Sequence, residues 1–190
     1  MKPKDDQKLE AIAQATYLCV HERGMRALTL AEIARRAGVA TSTLYVYFPN
    51  KQALLDALYE RAKTAAVAQL MGADENSQPV KARMRRIWLA LLALRLRQPE
   101  QQVFMEQYAS SEYMSEHNRT LGTRLSAVFV ALVQQGQDEE LLKPIAVPFH
   151  QICLLGTVQE TAKLIAQQGL PDDDATRNTA FILCWDAMKA

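Results

Sequence analysis

The sequence predicts an all-α protein of about nine helices, and three observations carry that prediction. Apolar residues recur at helical intervals from end to end. Glycine and proline fall at the ends of the periodic stretches. No stretch alternates apolar and polar side chains between hairpin turns.

Ile12, Thr16, Cys19 and Val20 line one face of a first helix, about 5–22, which stops before Gly24. Two short helices follow at about 30–37 and 41–47, then a longer one over 51–71. The segment Gly72–Gln78 has the composition of a surface turn. Pro79 opens the next helix, about 80–97, with Val80, Met84, Ile87, Trp88, Leu91 and Leu92 on one stripe. Gln98-Pro99 breaks it, and a sixth helix spans about 100–109. The seventh, about 115–135, repeats the stripe with Leu121, Leu125, Val128, Phe129, Leu132 and Val133, and Gly136 ends it. The last two cover about 147–168 and 173–188, separated by Gly169 and Pro171. This layout divides the chain into a three-helix head, residues 1–50, and a larger helical body, residues 51–190.

Composition bounds the function. The net charge is +1, but residues 1–51 carry a net +3 and the remainder −2, so the head is the basic end. The three cysteines, Cys19, Cys153 and Cys184, are widely spaced and contain no C-x-x-C, which argues against a disulfide framework or a zinc knuckle. The N-terminus is polar with no apolar run behind it, and even the longest apolar run, Ile87 to Leu94, is too short to cross a bilayer. These features predict a soluble, cytoplasmic protein without a membrane partner.

The informative segment is Leu28–Lys51. Thr29 and Glu32 have the spacing of a capping box, in which the hydroxyl accepts the Glu32 N–H and the carboxylate reaches back to the Thr29 N–H. The helix they open has room for two turns before Gly38, too few to persist without packing from Ile33, Ala34 and Ala37. Gly38 permits the left-handed backbone of a sharp turn, and Val39 and Leu44 plug the angle beyond it. That is what a helix-turn-helix demands. The next helix presents Thr41, Ser42, Thr43, Tyr45 and Tyr47 outward, with Leu44 and Phe48 inward. Short hydroxyls suit base edges and tyrosine hydroxyls suit phosphates. Lys51, at the start of the fourth helix, can converge on a phosphate with the free N–H groups there. The same residues also fit a helical hairpin with a polar surface.

Glu22-Arg23-Gly24, Thr29, Ile33-Ala34, Ala37-Gly38-Val39, Leu44-Tyr45, Tyr47-Phe48 and Lys51 resemble the signature of the TetR family of transcription regulators, over roughly residues 9–55. Ser42 stands where that family often has Gly, and Ala40 where it often has Ser or Thr, which removes one cap or phosphate contact. The resemblance implies a homodimer whose paired third helices enter successive major grooves of a pseudopalindromic double-stranded DNA operator. It also implies repression relieved by a small-molecule effector in the body. On this reading the DNA-facing residues are Thr29, Ala40, Thr41, Ser42, Thr43, Tyr45, Tyr47 and Lys51.

In the body, helices apolar on more than one face are either buried or line a cavity. Met84, Trp88, Phe104, Met105, Tyr108, Leu125 and Phe129 are the candidates for an apolar or amphipathic ligand pocket, with plain core as the alternative for each. Ile152, Gly156, Phe181, Trp185 and Met188 are the candidates for a dimer surface; the last helix can instead cap its own domain. His150 and Cys153 have a spacing that could share a metal, but no third ligand is near in sequence, so a structural histidine and a buried thiol are the better reading. No cofactor is implied. No nucleophile elbow, phosphate loop or acid–base constellation is present, so the chain is not read as an enzyme.

Overall fold

The structure, a computed structural model, describes residues 3–71 and 77–190. The described residues form nine helices and no strand. They are α1 Pro3–Arg23, α2 Leu30–Arg36, α3 Thr41–Tyr47, α4 Lys51–Met71, α5 Val80–Arg97, α6 Pro99–Ala109, α7 Glu116–Asp138, α8 Val147–Ala166 and α9 Asp174–Met188. An isolated antiparallel bridge pairs Leu142 with Lys189. The turn expected at 72–78 lies mostly outside the described residues.

The helix ends follow from backbone chemistry. Gly24 takes φ +79 after α1 and Gly38 takes φ +66 after α2, conformations that a Cβ disfavours. Asn50 and Asp173 each accept a backbone N–H three residues on, at 2.8 Å, and so cap α4 and α9. Gly136 does not end α7, which continues to Asp138. A Cβ at Gly136 would lie 2.6 Å from Leu142 Cδ1, so glycine is required there for a close approach. The chain turns instead at Glu140, whose φ is 55.

Two compact units result, Met1–Ala65 with Gln98–Arg124, and Ala66–Arg97 with Leu125–Ala190. In the first, the predicted stripe of α1 is fully buried, and Ile12 and Val20 pack with Ile33, Leu44, Leu54, Leu55, Phe104 and Tyr108. Tyr17 meets Phe104 at 5.1 Å and Tyr59 meets Tyr108 at 4.7 Å between ring centroids. The helix-turn-helix therefore shares its core with α6 and the start of α4. In the second unit α5, α8 and α9 pack together around Met84, Trp88, Leu92, Leu154, Val158, Phe181 and Trp185.

Candidate nucleic-acid interface

α2 is held at both ends by its own backbone pattern. The Glu32 N–H donates to Thr29 Oγ1 at 3.3 Å, the forward half of the capping box. The reciprocal half is replaced: the Glu32 carboxylate accepts Arg35 at 2.8 and 3.1 Å and Arg36 at 3.1 Å. Two arginines on the next turn outcompete a backbone N–H for that carboxylate, because charge-assisted bonds are the stronger ones. At the C-terminus Val39 N–H donates to Ala34 C=O at 3.0 Å and Gly38 N–H to Arg35 C=O at 3.4 Å, a Schellman closure. This closure sets the direction in which α3 leaves, so Gly38 governs where the third helix points.

α3 has a distinct inner and outer face. Leu44 is fully buried and Phe48 nearly so. Thr41, Ser42, Tyr45 and Val46 are exposed, a strip one turn wide. Thr43 and Tyr47 are only half-exposed. Tyr47 faces the chain itself, donating its hydroxyl to Asp5 at 2.9 Å, and that hydrogen bond raises its pKa. Ala40 is the N-cap of α3 and makes no side-chain cap bond, as a methyl side chain requires.

Lys51 also turns inward. Its ammonium donates to the Met25 carbonyl at 3.0 Å and sits 4.7 Å from the centre of the Tyr113 ring. The Met25 N–H donates to Gln107 Oε1 at 3.0 Å, so the turn after α1 is tied to both α4 and α6. An ammonium has three donors, which leaves capacity for a phosphate.

The charges around α2 form a connected set. Arg36 pairs with Glu22 at 2.9 Å as well as with Glu32, which joins α1 to α2. Hydrogen bonds from Arg35 first, and then Arg36, lower the Glu32 carboxyl from the ordinary 4.5 to about 2. The Arg36 hydrogen bond likewise lowers Glu22.

The seven ligand-pocket candidates divide between the two units. Phe104, Met105 and Tyr108 pack in the first, with Phe104 and Tyr108 fully buried. Met84, Trp88 and Phe129 pack in the second, where Trp88 is fully buried and donates Nε1–H to Thr157 at 3.0 Å. Leu125 also belongs to the second unit and is half-buried. The structure thus brings Phe104 and Tyr108 together and leaves Trp88 in a different core. Tyr108 is tied by its hydroxyl to Asp56, and accepts Asn118 Nδ2 at 3.0 Å and the Ser115 N–H at 3.3 Å. A cleft of about 520 Å³ in the first unit is lined by Arg23, Met25, Arg26, Gln107, Ser110 and Tyr113 among others, and none of the seven lines it.

The dimer candidates separate by face. Phe181, Trp185 and Met188 are buried in the chain's own core against α5 and α8, so they offer a partner almost no surface. The apolar surface of α9 lies on the adjoining positions, Ile182 and Leu183, 42 % and 64 % exposed. On α8, Ile152 is 66 % exposed, with Phe149 and Leu155 also exposed. Gly156 is exposed, and a Cβ there would meet nothing within 4 Å.

His150 is buried with Nε2 at 3.1 Å from the Lys143 carbonyl. Burial pushes the Cys184 thiol up to about 11, the opposite of an activated thiolate. Two short helices, a Schellman turn, a polar outward strip on the second helix and an inward apolar anchor define a helix-turn-helix DNA-binding protein.

Comparison with known proteins makes this specific. The model for bacterial regulatory proteins of the tetR family matches residues 12–58, and that for the tetracyclin repressor-like C-terminal domain matches residues 79–189. The chain belongs to the TetR family, and is a transcriptional regulator with a DNA-binding domain. It is 33 % identical over 72 residues to the HTH-type transcriptional regulator YvdT of Bacillus subtilis, covering 38 % of this chain and 37 % of that one. It is 24 % identical over 94 residues to the nucleoid occlusion factor SlmA of Haemophilus influenzae, covering 50 % and 43 %. The chain thus spans less than half the length of these two relatives. A TetR family transcription regulator from Marinobacter aquaeolei VT8 superposes with a TM-score of 0.91 at 25 % identity, covering 100 % of this chain and 99 % of that one. No helix among the described residues is long and apolar enough to cross a membrane.

Proposed function

We propose that two copies of this chain bind one pseudopalindromic operator and repress transcription from it, and that a small apolar or amphipathic molecule releases them. The observation that carries the reading is the outward strip of α3, where Thr41, Ser42 and Tyr45 stand free beside a buried Leu44 anchor. Hydroxyls aimed outward from a rigidly held short helix are suited to base edges and phosphates. Residues 1–50 act as the reading head and residues 51–190 as the controlling body in this proposal.

The apolar face of α8 and α9 supports the pairing. Ile152 on α8 and Leu183 on α9 are exposed apolar side chains of the kind that a second copy covers. Gly156 lowers helix propensity by about 1 kcal/mol relative to Ala, and nothing inside the chain requires it. Close approach of a partner helix gives it a purpose.

The test is selection of bound duplexes from a random pool by the purified protein. A pseudopalindromic consensus is expected. Recovery of unrelated sequences after repeated rounds contradicts the operator reading. An effector acts only through its differential affinity for the two states, so a releasing compound must bind the operator-free state more tightly, and weakens operator binding by roughly 5–150-fold for a typical coupling. Compounds that bind equally well with operator present contradict the release step.

A further inference from the structure

Val46 is 82 % exposed, the most exposed large apolar side chain among the described residues, and it lies on α3, the helix proposed above to read DNA. Its neighbours on that strip are Thr41, Ser42 and Tyr45, all polar at their tips. Leu44 and Phe48, on the opposite side, supply the packing that holds α3 in place, so Val46 contributes nothing to the core. A β-branched residue is also a poor choice for an exposed position in a helix of seven residues, since its side chain loses rotamer freedom there. Neither folding nor helix propensity accounts for it.

The major groove offers a partner that does. Of the four bases only thymine presents a methyl group there, at C5, and apolar side chains recognise it by contact. Serine and tyrosine cannot make that discrimination as cleanly, because each carries a polar tip that must be satisfied, which leaves Val46 and the methyl group of Thr41 as the apolar groups of the strip.

We propose that Val46 is a specificity-determining residue that contacts the C5-methyl group of one thymine in each half-site of the operator. This rests on the reading of α3 as the DNA-reading helix. The contact excludes water from one methyl group and one branched side chain. Its loss removes about 0.8 kcal/mol per methylene-sized group, close to fourfold in affinity.

The experiment replaces each thymine of the selected operator in turn by deoxyuridine, which removes the methyl and leaves all hydrogen-bonding groups. Affinities are measured with the full-length wild-type chain and with Val46→Ala, whose fold is checked by circular dichroism. Wild type is expected to lose about fourfold at one thymine per half-site, and Val46→Ala to be indifferent there while weaker on the intact operator. The same loss at that thymine in both proteins, or no loss at any thymine in either, overturns the assignment. Thr41→Ala and Tyr45→Ala separate this from failure of the underlying reading. If they weaken operator binding while deoxyuridine has no effect, only the Val46 contact is wrong. If neither they nor Val46→Ala change affinity, α3 does not read DNA and both fall.

Discussion

The ammonium of Lys51 donates to the carbonyl of Met25 at 3.0 Å, which fastens the start of α4 to the turn that follows α1. Gln107 holds the same residue by its N–H, so the α1–α2 turn is pinned at both backbone groups. Lys51 is therefore a structural tie of the head whatever else its charge does. Lys51→Ala leaves the Met25 carbonyl with the Leu28 N–H at 3.4 Å as its remaining partner, and is expected to lower the unfolding free energy by about 0.5–1.5 kcal/mol, read from denaturant midpoints. Binding to all duplexes should weaken about equally, with the salt slope falling by roughly one unit if the ammonium also meets a phosphate. An unchanged midpoint contradicts the tie.

Tyr108 gives a second stability test. Its buried hydroxyl serves Asp56, Asn118 and the Ser115 N–H at once. Tyr108→Phe takes the acceptor from the Ser115 N–H, while Asp56 keeps Gln52 and Asn118 keeps the Asp56 carbonyl, and is expected to cost about 1–3 kcal/mol, with the denaturant slope unchanged. A neutral effect implies that water replaces the hydroxyl and that this part of the core is open.

The acid limb of stability follows from Glu32. Its carboxyl is lowered from 4.5 to about 2 by Arg35 and Arg36, so it binds protons less readily folded than unfolded. The stabilisation it brings is complete above about pH 4.5 and is lost as pH falls toward 2. Glu32→Gln should flatten that part of the stability–pH curve and leave the remainder in place. If the variant and the wild type lose stability in parallel through this window, the Glu32 pairs are not what holds α2.

The face of α9 supplies a prediction about assembly. Leu183→Asp places a charge on the exposed apolar face and should give a folded monomer by light scattering, since Leu183 is 64 % exposed in the single chain. Trp185→Asp buries an unpaired charge in the chain's own core and should unfold the second unit, at a cost of several kcal/mol. A Leu183→Asp protein that stays dimeric moves the interface elsewhere.

How much of this was legible depends on the range of the interaction. The capping Thr29, the left-handed Gly38 and the stripes of α1 and α5 follow local rules, and the structure bears them out. Pairings across the chain were not readable: Tyr47 with Asp5 is 42 residues apart, and Met25 with Gln107 is 82. Nor does periodicity say which of two apolar faces a helix gives to its own core. α9 is apolar at 181 through 185 and at 188, and only the packing of α5 and α8 decides that Phe181 and Trp185 go inward and Ile182 and Leu183 outward. Gly136 misled for a related reason, being a glycine of close approach to Leu142 inside a helix rather than a terminator. Val46 had a signal that was available: Leu44 and Phe48 set the inner face, and Val46 lies halfway between them on the other side.

The central claim is that two α3 helices, one from each copy, enter successive major grooves on one face of the duplex. Half-sites then lie about 34–36 Å apart, one helical turn, or a multiple of it. The most direct measurement is the affinity of the purified protein for its selected operator with about five, and then about ten, base pairs inserted between the half-sites. Half a turn turns the second half-site away from its helix, and a full turn brings it back to the same face. Loss of affinity with both insertions is the predicted result, because a full turn restores the face but adds about 34 Å to a separation that the paired helices hold fixed. Equal affinity for all three spacings contradicts the paired reading.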